Sequence, residues 1–74
     1  MKARFFLARV ARFPDGSFTI ENIQSNHGTI AAWFDRHGRP QACEYRPSEA
    51  QIKIDSPAWK AVAEVGRRQA ARIA

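Results

Sequence analysis

Three turn sequences, each ending in glycine, divide the first half of the chain into short segments. They are Phe13-Pro14-Asp15-Gly16, Ser25-Asn26-His27-Gly28 and Asp35-Arg36-His37-Gly38. In each, a residue suited to beginning a type I turn precedes a glycine at the position where the backbone needs a positive φ. The glycines fall 12 and then 10 residues apart, with β-branched and aromatic residues between them. This pattern predicts a meander of four antiparallel strands, over about residues 3–12, 17–24, 29–35 and 41–46.

A helical pattern follows in the last third of the chain. Asp55-Ser56-Pro57 combines an N-cap candidate with a proline at the first helical position, so we expect a helix from about 57 to 73. Apolar or small residues recur on one side of that helix, at Trp59, Val62, Ala63, Gly66, Ala70 and Ile73. We expect this stripe to pack on the sheet, with Trp59 as its anchor and Gly66 allowing a close approach.

The predicted fold class is therefore α+β, a four-stranded antiparallel β-meander packed by one C-terminal α-helix. A chain of 74 residues has room for a single small domain, residues 1–74. Between the sheet and the helix, residues 47–55 could form a short fifth strand, a turn or a linker.

The hydrophobic core of such a domain must be small. The 33 hydrophobic residues include 13 alanines, so 20 larger side chains remain to fill it. Cys43 is the only cysteine and cannot form a disulfide within the chain. A small domain without such a bridge must pack tightly or associate with another molecule, so oligomerisation is expected.

The residues that could carry chemistry do not form a catalytic or metal-binding pattern. His27 and His37 each precede a turn glycine, and successive turns of a meander lie at opposite ends of its sheet. Cys43 falls in the middle of a predicted strand, where a core role is expected. The scattered glycines match no phosphate-binding loop. We therefore expect no catalytic residue, no metal, no cofactor and no small-molecule substrate.

The strand pattern instead indicates a binding surface. Predicted strands one and three carry apolar residues on both faces, and one helix cannot cover both faces of a sheet. The surplus, assigned to Phe5, Leu7 and Trp33, predicts a protein interface on the side away from the helix. Two alternatives stay open. A bulge or strong twist could turn these residues into the core, or residues 47–55 could fold over the second face.

The net charge of +5 offers a second interpretation, since nine of the twelve basic residues are arginines. Surface arginines beside an aromatic sheet could bind nucleic acid. The candidates for this role are Arg4, Arg9, Arg12, Arg36, Arg39, Arg67, Arg68 and Arg72. The last three also suit the negative end of a helix dipole, which requires no ligand.

These observations favour a non-catalytic small protein that acts by stoichiometric protein–protein association. Its expected partner is itself, as a homodimer, or a larger protein, and a basic nucleic-acid-binding module is the alternative. Small regulators and inhibitors encoded on bacterial mobile elements are similar in size and simplicity. No apolar run is long enough to span a membrane, so a soluble, cytoplasmic protein is expected.

Overall fold

A computed structural model describes residues 8–73 of the chain, with only the backbone of Ile73. It contains one sheet and one helix, with the elements β1 (Arg9–Arg12), β2 (Phe18–Ser25), β3 (Gly28–Phe34), β4 (Pro40–Arg46) and α1 (Pro57–Ile73). The strands are adjacent in chain order, and all three pairs are antiparallel. The α+β fold class and the four-stranded meander are thus confirmed. The predicted start of the first strand, with Arg4, Phe5 and Leu7, lies outside the described residues.

The three hairpin turns form where the sequence predicts them, because aspartate or serine side chains hold their backbone amides. In the β3–β4 turn, Asp35 Oδ1 accepts hydrogen bonds from the amides of His37 and Arg39, each at 2.9 Å. In the β1–β2 turn, Asp15 Oδ1 accepts the amide of Ser17 at 2.9 Å. The glycines that end the three turns have φ between 85° and 107°, the region that favours glycine.

Strand β2 contains a bulge that the sequence pattern does not reveal. Ile20 pairs with Ala32 of β3, and Ile23 pairs with Ile30. Two residues of β2, Glu21 and Asn22, therefore lie opposite the single residue Ala31. Asn22 takes φ of 66°, a conformation that asparagine tolerates better than most residues. The extra residue lets Ile20 and Ile23 point to the same side, and both pack with the core.

Helix α1 begins and ends at the predicted residues. Ser56 acts as its N-cap, with Oγ accepting the amide hydrogen of Trp59 at 3.2 Å. Val62 is the helix side chain enclosed most fully, at 1% exposure, whereas Trp59 is half-buried at the margin of the core. The buried core consists of Phe18, Ile20, Ile30, Ala32, Phe34, Cys43, Ile52 and Val62.

The sequence allows a strand, a turn or a linker for the segment after β4. In the structure this segment runs back along the edge of β4 that does not pair with β3. The amide of Tyr45 donates to the carbonyl of Ala50 at 2.9 Å, and the amide of Ile52 donates to the carbonyl of Cys43 at 2.9 Å. A single β-bridge joins Glu44 to Gln51, so the pairing is shorter than a strand. Ile52 is 6% exposed and joins the core, which explains why this segment is held against the sheet.

Candidate protein-interaction face

The two faces of the sheet carry different residues, as strand register shows. Val10, Ile20, Ala32 and Cys43 are cross-strand partners in one row and face the helix side. The next row lies on the other side of the sheet and contains Ala11, Thr19, Trp33 and Ala42. We call this second side the outer face. Its remaining strand residues, by the same register, are Arg9, Glu21, Gln24, Thr29, Ala31, Glu44 and Arg46.

Trp33 lies on the outer face near the end of β3, one residue before the strand ends at Phe34. Its direct cross-strand neighbours are Thr19 and Ala42, both smaller than an indole ring. Trp33 is 38% exposed although it lies on an inner strand of the sheet. A large aromatic surface is therefore presented to solvent, where the sequence predicted an interface residue.

On β4, side-chain pairing shields part of the outer face. Glu44 Oε2 lies 2.8 Å from Nε of Arg46, and Glu44 Oε1 accepts a hydrogen bond from Gln51 Nε2 at 3.2 Å. The Glu44 side chain is only 15% exposed as a result. Ala31 is 2% exposed at a cleft that Arg46 and Pro47 also line. Pro47 and Glu49 of the segment after β4 line the cleft at Ala31, whereas Trp33 lies outside this cleft and stays exposed.

The charges of the outer face are balanced. Its strands carry two arginines, Arg9 and Arg46, and two glutamates, Glu21 and Glu44. Arg9 and Glu21 are direct cross-strand partners, and Arg46 forms its ion pair with Glu44. The net charge of +5 therefore arises elsewhere in the chain. This face combines one exposed aromatic residue with charged residues of no net sign.

The arginines proposed for nucleic-acid binding are distributed over several elements. Arg9 and Arg12 lie on β1, Arg36 and Arg39 lie in and after the β3–β4 turn, and Arg67, Arg68 and Arg72 lie on α1. The helix pair Arg67 and Arg68 is engaged by a single carboxylate, that of Glu64, with 3.1 Å between Arg68 Nε and Oε2. Hydrogen bonding from Arg67, followed by the charges of both arginines, lowers the pKa of Glu64.

The candidate nucleophile and the histidines occupy structural positions. Burial raises the pKa of the Cys43 thiol to about 11, so the thiol is protonated at neutral pH and unsuited to nucleophilic attack. His27 and His37 lie in turns at opposite ends of β3. The ring of His27 packs edge-on against Tyr45, with 5.9 Å between ring centroids. Within residues 8–73, no three side chains of the metal-ligating types come together.

Comparison of this chain with protein-family models, with curated proteins and with solved structures finds no match. In the part of the chain that the structure describes, no helix has the length and apolar character needed to cross a membrane.

Proposed function

We propose that this protein acts by non-catalytic, stoichiometric association with another protein molecule through the outer face of its sheet. One observation carries the proposal: Trp33 is 38% exposed although it lies on an inner strand, with β2 on one side and β4 on the other. Protein interfaces place aromatic side chains at their centre, with charged groups at the rim, and tryptophan is enriched among the residues that dominate binding energy. The outer face combines an exposed tryptophan with charged residues of both signs.

The partner we propose first is a second copy of the chain. Two molecules that each carry a net charge of +5 repel one another, except where they meet through a surface of balanced charge. The outer face is such a surface. Under two-fold symmetry the same patch of both copies is in contact, so the exposed Arg9 of one copy can meet the exposed Glu21 of the other. A larger protein, which the small chain would regulate or inhibit by covering its surface, is the other partner considered.

Nucleic-acid binding stays an alternative prediction. Against it, the candidate arginines do not form one cluster, since they lie on β1, around the β3–β4 turn and on α1. Phosphate contacts would make binding strongly salt-dependent, whereas association through an aromatic face should persist at high salt. Salt dependence therefore separates these two functions.

The test is the mass of the protein in solution, measured over a range of concentrations at low and high salt. We expect a dimer that survives high salt and that Trp33→Ser weakens by at least about 30-fold, the loss typical of a central tryptophan. Ile54→Ser is the matched control, since Ile54 is 67% exposed but lies outside the sheet. Circular dichroism should show that both variants keep the helix.

Two results would contradict the proposal. One is a dimer that Trp33→Ser and Ile54→Ser weaken equally. The other is a monomer at every concentration that binds a mixed-sequence oligonucleotide only at low salt, which would support the nucleic-acid alternative. If the parent protein is monomeric but captures a larger protein in a Trp33-dependent manner, the proposed function holds and the partner is that larger protein instead of a second copy.

A further inference from the structure

A second surface, separate from the outer face, lies on the helix side of the sheet. There, a groove of about 490 Å³ runs between strand β1 and helix α1. Its apolar lining is contributed by Ala8, Val10, Ile20 and Val65. Val10 is 39% exposed, although its cross-strand neighbour Ile20 is buried. We call this surface the β1–α1 groove.

The groove adjoins a free strand edge. Among the described residues, β1 pairs only with β2, so its other edge has backbone donors and acceptors without partners from residues 8–73. All four residues of β1, Arg9–Arg12, are exposed. An open strand edge beside an apolar groove is the geometry by which proteins bind extended peptides through strand addition.

Charge indicates which peptide would fit. The polar residues that line the groove are Arg68, Gln69 and Arg72, with no acidic residue among them. Arg12 lies on the same side of β1 as Val10, two residues along the strand. Unlike the outer face, this groove therefore carries a surplus of positive charge around an apolar floor.

We propose that the β1–α1 groove binds an extended acidic peptide, which adds to the free edge of β1 as a fifth strand. Alternate side chains of the peptide point into the groove. An aliphatic side chain contacts Val10 and Val65, and carboxylates on either side of it are bound by Arg68 and Arg72. This peptide-binding site is separate from the interface of the proposed function, because it lies on the other side of the sheet from Trp33.

Two other occupants fit the groove less well. A second copy joined edge to edge would bring its own Arg9 and Arg12 beside the same two residues of the first, so that like charges face one another along a short ladder. Nucleic acid would find arginines, but the groove floor is aliphatic and has no aromatic ring on which a base could stack. The acidic peptide matches both the charge and the apolar floor.

The test uses the full chain and a synthetic peptide blocked at both ends, Thr-Glu-Thr-Val-Thr-Glu-Thr, with binding measured by fluorescence anisotropy. In strand geometry its two glutamates and its valine share one side. We expect binding that weakens as salt rises. A peptide with lysine in place of glutamate should not bind, and N-methylation of backbone amides that face β1 should abolish binding.

The protein variants provide a matched pair. Arg67 and Arg68 both pair with Glu64, but only Arg68 lines the groove. Arg68→Gln should weaken peptide binding about three- to fivefold, and Arg68→Gln with Arg72→Gln about tenfold, while Arg67→Gln leaves it unchanged. Trp33→Ser should also leave it unchanged, so failure of this proposal and failure of the proposed function are distinguishable.

Three outcomes would overturn the proposal: no binding of the acidic peptide at millimolar concentration, equal binding of the acidic and the lysine peptides, or equal losses in Arg67→Gln and Arg68→Gln. A single-stranded oligonucleotide that displaces the peptide and binds far more tightly would reassign the groove to nucleic acid.

Discussion

Gly38, in the β3–β4 turn, lies directly against Gly66 in the middle of helix α1. A Cβ atom added to Gly38 would lie 2.4 Å from the carbonyl oxygen of Gly66, and one added to Gly66 would lie 2.5 Å from the carbonyl oxygen of Gly38. The added Gly66 Cβ would also lie 2.3 Å from the ring of Phe34, which is itself buried and stacked on Phe18. The two backbones can approach this closely only because both residues lack a side chain.

The first prediction concerns Gly66→Ala. Alanine favours a helix over glycine by about 1 kcal/mol, but here its methyl group must displace either a backbone carbonyl or a buried ring. We expect a net loss of about 1–3 kcal/mol in the free energy of unfolding, measured by urea denaturation. Ala61→Gly, at an exposed position of the same helix, is the control and should cost only the propensity difference of about 1 kcal/mol. A more stable Gly66→Ala variant would contradict the close approach.

The second prediction concerns two residues of helix α1 that pack in or against the core, Val62 and Trp59. Val62 is fully enclosed, so Val62→Ala should cost about 2 kcal/mol through lost burial and the cavity left behind. Trp59 packs against the core but is half-buried. Trp59→Ala should therefore cost about 2 kcal/mol in the free energy of unfolding. A fully enclosed aromatic residue, as expected for an anchor, would cost about 3–5 kcal/mol. Urea denaturation of both variants checks these values, and a loss above about 3 kcal/mol for Trp59→Ala would contradict its half-buried position.

The third prediction follows from the carboxylate that holds the β3–β4 turn. Partial desolvation acts to raise the pKa of Asp35, but hydrogen bonds from the amides of Arg39 and His37 outweigh it and lower the pKa below the ordinary value of 3.8. Ionised Asp35 therefore stabilises the fold fully above pH 3.8. As the pH falls through 3.8 the unfolded chain binds a proton first, so this stabilisation is lost progressively until the pH passes the lowered folded pKa.

Asp35→Asn tests this assignment. The variant should be less stable than the parent at pH 6, and the gap between their urea midpoints should narrow at pH 3. A gap of equal size at both pH values would show that the charge of Asp35 does not act through the turn amides.

Much of the fold follows from local sequence signals. Asp35 and Gly38 specify their turn through contacts within a few residues, and Ser56-Pro57 specifies the start of the helix in the same way. Strand alternation puts Trp33 and Ala32 on opposite faces of β3, but which of the two faces the helix covers does not follow from the sequence; the register places Trp33 on the side away from the core. The bulge at Asn22 was not predicted, because it depends on β2 keeping Ile20 and Ile23 on one side of the sheet.

The sequence by itself determined the turns, the helix limits and the alternation that makes Trp33 a candidate interface residue, since these depend on neighbours in the chain. Only the tertiary structure decided which apolar residues stay exposed. Ala31 and Trp33 are two residues apart on β3 and lie on the same face of the sheet, yet Ala31 is 2% exposed and Trp33 is 38% exposed. Pro47 and Glu49 line the cleft at Ala31, whereas the direct cross-strand neighbours of Trp33 are the small residues Thr19 and Ala42. Burial of this kind depends on contacts between distant parts of the chain, which local propensity does not encode.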